Sequence, residues 1–248
     1  MKNQIPPSQR DQIYSEEQPM LVDFRFDERV TAVFSDMIRR SVPGYGEIIS
    51  LLGLFALNYS QPNSNIYDLG CSLGASTLAL RERIAAGGCS IIAVDNSEAM
   101  IKQCAENLQQ IESTIDVDLR CADIRDIEIN NASVVVLNFT LQFIPLEQRA
   151  ALMQRIYQGM LPGGVLILSE KVAFNDPQEQ QQQEALHIAF KQANGYSEME
   201  ISQKRAALEK VLVPETIAAH QKRLTKAGFS SANVWFQCLN FTSIVATK

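Results

Sequence analysis

Histidine is nearly absent from this 248-residue chain: only His187 and His220 occur. That scarcity excludes a histidine-rich metal site and argues against a catalytic triad, which needs an imidazole beside its nucleophile. The five cysteines, Cys71, Cys89, Cys104, Cys121 and Cys238, contain no CxxC spacing. An odd count with no paired spacing fits reduced thiols in a cytoplasmic protein better than a disulfide framework. Basic residues are in deficit, 22 against 28 acids, for a net charge of −6. This disfavours broad contact with nucleic-acid backbones and leaves room for a local basic pocket. Long apolar runs are missing as well. The longest, Ile48 to Leu57, is interrupted by Ser50 and Gly53 and is too short to span a bilayer, so no membrane association is expected. The first 20 residues are polar, with Pro6 and Pro7 and no apolar centre, so no secretory leader is expected.

What is present is ordinary for a globular protein, 46% hydrophobic and 20% charged residues, enough for one large core. Residues 1–24 read as a flexible N-terminal arm and 25–248 as a single domain. Within 27–40, Val30, Val33, Phe34 and Met37 recur at helical spacing. Pro43-Gly44 breaks that helix, and a second runs through Tyr59, giving a helical cover over 27–60. From residue 65 apolar strands alternate with helices: Ile66–Leu69, helix 74–86, Ile91–Val94, helix 97–112, Val117–Cys121, Ser133–Asn138, helix Leu146–Met160 and Val165–Ser169. Such alternation predicts a doubly wound α/β fold with a mostly parallel sheet. A polar helix-forming insertion over 175–213 interrupts it, followed by a helix His220–Ala227 capped by Gly228. The closing strands, Ser231–Gln237 and Asn240–Ala246, are separated by too few residues for a crossover, so they pair antiparallel.

The densest chemical signal is 66-IYDLGCSLGASTLAL-80, a strand running through a glycine-punctuated turn into a helix. Asp68, Gly70 and Gly74 match the core of a nucleotide-binding loop, with Ser72 where many such loops carry a middle glycine. Gly70 permits the tight turn and Gly74 close packing of helix on strand. Asp95 ends the next strand, 21 residues beyond Gly74, where a carboxylate can accept from ribose hydroxyls. Asp123 follows the third strand in a polar cluster with Arg125 and Asp126. Asn138 is an amide closing an otherwise apolar strand, and a buried amide needs partners. By residue chemistry alone Tyr45 is a packed aromatic in a turn. Arg205 is half of a solvated i,i+4 pair with Glu209, and both histidines are surface or satisfied helix residues.

The loop 68-DLGCSLG-74, the acids at 95 and 123, 161-LPGGVLILSE-170 and the terminal hairpin resemble the class I S-adenosylmethionine-dependent methyltransferases, a Rossmann-like fold. More specific strings, 27-DERV, 41-SVPGY-45, 67-YDLGCSLGA-75, 124-IRDI-127, 136-VLNFTLQF-143, 194-NGYSE-198, 201-ISQKR-205 and 235-WFQC-238, resemble the carboxy-S-adenosyl-L-methionine synthase family. That resemblance implies conversion of S-adenosyl-L-methionine and prephenate to carboxy-S-adenosyl-L-methionine and phenylpyruvate. The product would serve wobble-uridine carboxymethylation in tRNA by a separate enzyme. It implies no metal, no direct nucleic-acid binding, and a cytoplasmic homodimer. It implies cofactor contacts at Tyr45, Gly70, Cys71, Ser72, Asp95, Asn96, Asp123, Ile124 and Asn138. It also places Arg205 on the new carboxylate as the catalytic residue, reaching into the partner's site. Two other readings stay open at this point: a conventional small-molecule methyltransferase and a non-catalytic S-adenosylmethionine-binding module.

Overall fold

The computed structural model describes residues 10–16, 24–209 and 211–248; most of the segment read as an N-terminal arm lies outside them. Seven strands form one sheet: β1 (Asn65–Leu69), β2 (Ser90–Asp95), β3 (Val117–Cys121), β4 (Ala132–Asn138), β5 (Met160–Lys171), β6 (Ser231–Cys238) and β7 (Phe241–Thr247). Their order is β3-β2-β1-β4-β5-β7-β6. The first five run parallel, and β7 lies antiparallel to both β5 and β6. The order reverses direction at β1/β4, the point where open parallel sheets leave a crevice at their carboxyl edge.

The strand period of two explains the layers. Ile66, Ile91, Ala93, Val134, Val136, Val165 and Ile167 face one side. There they pack on Ile48, Leu52 and Ala56 of α2 (Tyr45–Tyr59), Leu80 of α3 (Ala75–Arg83) and Cys104 and Leu108 of α4 (Glu98–Gln109). The intervening residues, among them Tyr67, Leu69, Val94, Val135, Leu137, Leu166 and Leu168, face the other side. These meet Leu152, Met153 and Ile156 of α5 (Leu146–Gly159) and Leu224 and Ala227 of α8 (Ile217–Ala227). β4 is apolar on both faces because both faces are covered. β5 starts before its apolar run: Met160 pairs with Ala132 of β4, and the register shifts before Val165 stands opposite Val134.

A roof crosses the carboxyl edge of the sheet. It comprises α1 (Glu28–Ser41), capped by the Asp27 carboxylate on the Val30 amide at 3.0 Å, and the insertion, which forms two helices. These are α6 (Pro177–Ala193) and α7 (Glu198–Leu208), separated at Gly195, with Ser197 and Glu200 forming a reciprocal capping box. Five residues tie the roof together. Asp11 is buried and takes hydrogen bonds from Tyr196 Oη and, at 3.2 Å, from Lys204 Nζ. Its own amide donates to Asp36 Oδ2 at 2.9 Å, and Arg40 bridges to Asp36 at 3.1 Å and to the Asn194 carbonyl at 2.7 Å. The Arg40 guanidinium lies 3.8 Å above the Tyr196 ring. Among the described residues no helix is long and apolar enough to cross a membrane.

Arg149 of α5 is fully buried and braces the floor of the same edge. It donates to the carbonyls of Ile144 (2.8 Å), Gln142 (3.0 Å) and Val213 (2.9 Å) and pairs with Glu215 at 2.6 Å. Removing its guanidinium takes a donor from three carbonyls and an ion-pair partner from Glu215. Arg149→Met should therefore destabilise the protein by about 3 kcal/mol or more, read as a lower midpoint in urea with an unchanged slope.

Candidate active site

A cavity of about 520 Å³ lies between the carboxyl ends of the strands and the roof, a size suited to a ligand of several tens of atoms. Its first wall is the loop after β1. Gly70 has φ +90°, and a Cβ there would meet Thr140 Oγ1 at 2.2 Å, so no larger residue fits. Gly74, at φ +85°, is closed off by Cys104 Sγ of α4, at 2.7 Å from where its Cβ would stand. Its smallness thus serves packing on the neighbouring helix, where the sequence reading placed it against the strand. Ser72 adopts φ +50°, the left-handed region a middle glycine would occupy, and keeps a side chain there that reaches Met100 Sδ at 3.4 Å.

Asp95 organises this loop from β2. Its Oδ2 accepts from the Ser72 amide at 2.9 Å and its Oδ1 from the Ser97 amide at 3.0 Å. One lone pair on each oxygen is left for a ligand hydroxyl. Burial raises its pKa despite those amides. Asp68, below the loop, is fully buried; Oδ2 accepts from Thr77 Oγ1 at 2.6 Å while Oδ1 has no partner. Desolvation, opposed by the Thr77 bonds, pushes its carboxyl up to about 7. Asp123 is engaged by Arg125, which donates from its amide and Nε to Oδ1 at 2.8 and 2.9 Å and from Nη2 to Oδ2. That guanidinium holds the Asp123 pKa below the usual carboxylate value. The Asn138 amide donates to Ser76 Oγ at 3.2 Å, and its Oδ1 is buried without a partner beside the cavity.

The structure thus brings Tyr45, Gly70, Cys71, Ser72, Asp95, Asn96, Asp123, Ile124 and Asn138 around one cavity. Cys71 is buried, and its thiol is driven to higher pKa by the Cys104 contact and burial, so it is no thiolate nucleophile. Arg205 does not line that cavity. It sits on α7 with its side chain 60% exposed, paired to Glu184 at 3.3 Å. The expected i,i+4 partner Glu209 is displaced because α6 brings Glu184 alongside α7.

The opposite wall was not selected from the sequence. It carries Lys171 at the end of β5, His187 and Lys191 on α6, and Lys204 on α7. Two signals were available: Lys171 follows a buried apolar strand directly, and His187 and Lys191 stand four residues apart on one helix face. His187 is buried and hydrogen-bonded, the satisfied rather than the surface alternative of the sequence reading. Its Nε2 lies 2.8 Å from the Ser41 carbonyl, its ring is 5.0 Å from Phe241, and burial lowers it to about 3, leaving it neutral. His220 is also buried, with α8 and away from the cavity. Between the walls Phe139 holds φ +63° and stands in an aromatic row, 6.3 Å from Tyr45 and 5.9 Å from Phe241. Among the described residues no group of three or more histidine, cysteine or acidic side chains is placed to hold a metal ion.

A methyltransferase-domain family model matches residues 66–164. The chain is 62% identical to the carboxy-S-adenosyl-L-methionine synthase of Trichlorobacter lovleyi, over 96% of this chain and 98% of that protein. It is 58% identical to the enzyme of the same name from Shewanella frigidimarina, over 97% and 99%. Human N-acetylserotonin methyltransferase, solved in complex with SAM, superposes with a TM-score of 0.60 at 16% identity. That match covers 89% of this chain and 55% of the human one, and it establishes the class I methyltransferase fold.

The raised Asp68 carboxyl has a definite consequence for stability. Between about pH 4 and 7 the folded state holds a proton that the unfolded chain has lost, so this group's contribution falls as pH rises through that window. Asp68→Asn mimics the protonated form at every pH. Its stability relative to the unsubstituted protein should rise from pH 4 to 7 by roughly 3 kcal/mol, measured as the difference between paired urea titrations.

Proposed function

This chain belongs to the carboxy-S-adenosyl-L-methionine synthase family, and on that premise we propose that it converts S-adenosyl-L-methionine and prephenate to carboxy-S-adenosyl-L-methionine and phenylpyruvate. The observation that carries the reading is full-length identity of about three residues in five to enzymes of that name. The cavity supports it, because the residues of a nucleoside-type wall and of a cationic wall line one space. Asp95 would take the ribose hydroxyls. Asp123 keeps acceptor capacity for the adenine amino group beyond its Arg125 bonds, and the orphan Asn138 Oδ1 is available to the amino-acid end or the adenosine.

The chemistry suits a site without a strong side-chain base. Prephenate aromatises by losing carbon dioxide and hydroxide. The hydroxide takes a proton from the sulfonium methyl and becomes water. The ylide carbon then forms its new bond to the carbon dioxide, giving the carboxymethyl sulfonium. Charge balances, since a cation and a dianion become a neutral zwitterion, a monoanion and water. His187, neutral and engaged with Ser41, is not required as the base. What the protein supplies is proximity and exclusion of bulk water, which would quench an ylide. The roof of α1, α6 and α7 would provide that exclusion. The product would supply a carboxymethyl donor for wobble-uridine modification in tRNA, acting as a free small molecule in the cytoplasm.

Arg205 is the remaining piece. It stands outside its own cavity and exposed, which suits a homodimer in which it enters the partner's site and pairs the new carboxylate with its planar fork. The other nine positions line the cavity of their own chain.

Two experiments test this reading. Incubation with both substrates should yield phenylpyruvate and a sulfonium heavier by one carboxyl, carrying label from the ring carboxylate of prephenate, with no S-adenosylhomocysteine. S-adenosylhomocysteine appearing in step with acceptor methylation would make the protein an ordinary methyltransferase, and no turnover of prephenate would leave a binding module. Second, Arg205→Ala should weaken carboxy-S-adenosylmethionine by tenfold or more, about 1.5–3 kcal/mol, with S-adenosylmethionine little changed by calorimetry. Equal losses for both ligands would reduce Arg205 to its ion pair with Glu184.

A further inference from the structure

The cationic wall has more positive charge than its surroundings balance. Lys204 is compensated, sharing Asp11 at 3.2 Å and Ser41 Oγ at 3.1 Å. Arg205 occupies Glu184. The ammonium groups of Lys171 and Lys191 make no hydrogen bond or ion pair among the described residues, yet both line the cavity and neither is exposed. Among the described residues the only acid acting on Lys171 is Glu184, already paired with Arg205, and Lys191 feels Lys171, Lys204 and Arg205, all of the same sign. Two lysines that line a cavity without counterions are costly to keep charged until an anion arrives.

We propose that Lys171 and Lys191 form the seat for a carboxylate of the second substrate, and that it is the carboxylate which stays on that substrate rather than the one transferred. This rests on the prephenate reading and deepens it. Position favours the second substrate over the cofactor's own carboxylate. β5 and α6 carry the lysines, whereas the glycine loop, Asp95 and Asp123 follow β1, β2 and β3, on the other side of β4 in the sheet order. Chemistry decides which carboxylate. An ammonium paired to a leaving carboxylate stabilises the anion and opposes loss of carbon dioxide. Paired to the pyruvyl carboxylate, it holds the substrate without opposing the reaction. The aromatic row of Phe139 and Phe241 lies next to the wall for the ring being formed.

The unfilled seat leaves its mark on protonation. Burial and the neighbouring cations bring Lys191 down to about 7, and burial lowers Lys171. An anion in the seat favours the charged lysines, so binding takes up a proton above about pH 7, and anion affinity falls as pH rises from there. Lys191 is faced by Lys171 of β5, Lys204 and Arg205 of α7 and His187 of its own helix, none of them an acid; Glu184 of the same helix acts on Lys171.

The test uses phenylpyruvate, which retains the pyruvyl carboxylate and lacks the transferred one, titrated into the S-adenosylmethionine-bound protein. Lys171→Met and Lys191→Met keep the aliphatic stems and drop the charge. Each should weaken phenylpyruvate by about ten- to a hundredfold, raise KM for prephenate by a similar factor, and leave S-adenosylmethionine affinity unchanged. Lys191→Arg should recover most of the loss, and Lys191→Met should abolish the decline of phenylpyruvate affinity between pH 7 and 9, the range above the Lys191 value. Phenylpyruvate bound equally by the unsubstituted protein and both methionine variants would overturn the seat, as would no measurable phenylpyruvate binding to the unsubstituted protein. Parallel loss of S-adenosylmethionine would assign the lysines to the cofactor and also overturn it. Because phenylpyruvate binding needs no turnover, the two readings fail separately. Prephenate left unconverted while the variants lose phenylpyruvate would remove the proposed reaction and leave the seat standing.

Discussion

The geometry of the cavity depends on a buried charge network of five residues far apart in the chain. Asp11 comes from the N-terminal segment, Asp36 and Arg40 from α1, Tyr196 from the turn between α6 and α7, and Lys204 from α7. Two acids meet two bases, with a phenol between them, so the charges cancel locally. Such a network adds little net stability over an apolar substitute, because desolvation offsets most of the attraction. Its value is in geometry: each partner is costly to leave unpaired, so α1, α6 and α7 have one low-energy arrangement over the sheet. That arrangement places Ser41, His187 and Lys191 around the same space.

Balanced and unbalanced charges therefore divide the labour. Where charges are matched, as around Asp36 and Arg40 or Arg149 and Glu215, they fix elements against one another. Where they are unmatched, they mark ligand-facing surface. Among the described residues, Asn138 Oδ1 and Asp68 Oδ1 are buried without a partner at or beneath the cavity, and the ammoniums of Lys171 and Lys191 line it without an ion pair. An unsatisfied polar group survives in a folded protein when something binds it. Backbone strain follows the same map. Ser72 and Phe139 hold positive φ at the loops after β1 and β4, where the sheet order reverses.

Near-absence of histidine turned out to be informative in an unexpected way. Both imidazoles are buried and lowered in pKa, so neither is poised as a base near neutrality. A reaction that generates its own hydroxide is compatible with that poverty, and the cavity is furnished for placing charge rather than moving protons. The choice between a surface and a satisfied His187 stays open in the sequence because α6 looks solvated: its glutamine run and Leu186 are largely exposed, and only one narrow face turns inward.

The sheet, its terminal hairpin and the nucleotide loop were legible in the chain, because each is written locally. Period-two apolar runs bury both strand faces, glycines sit where φ is positive, and two residues between β6 and β7 leave room only for a hairpin. Asp95 and Asn138 were legible for the same reason, as polar residues ending apolar strands. The pairing of Arg205 with Glu184, the burial of both histidines and the convergence of Lys171, Lys191 and Lys204 were not. Each depends on where α6 and α7 land, and that is set by contacts spanning more than a hundred residues, such as Arg40 to Asn194 and Lys204 to Asp11. Local pattern can say that a lysine sits on a helix. Only the folded chain decides whether the space beside it is water or a cavity, because a side chain's charge acts through whatever the tertiary structure brings within a few ångströms of it.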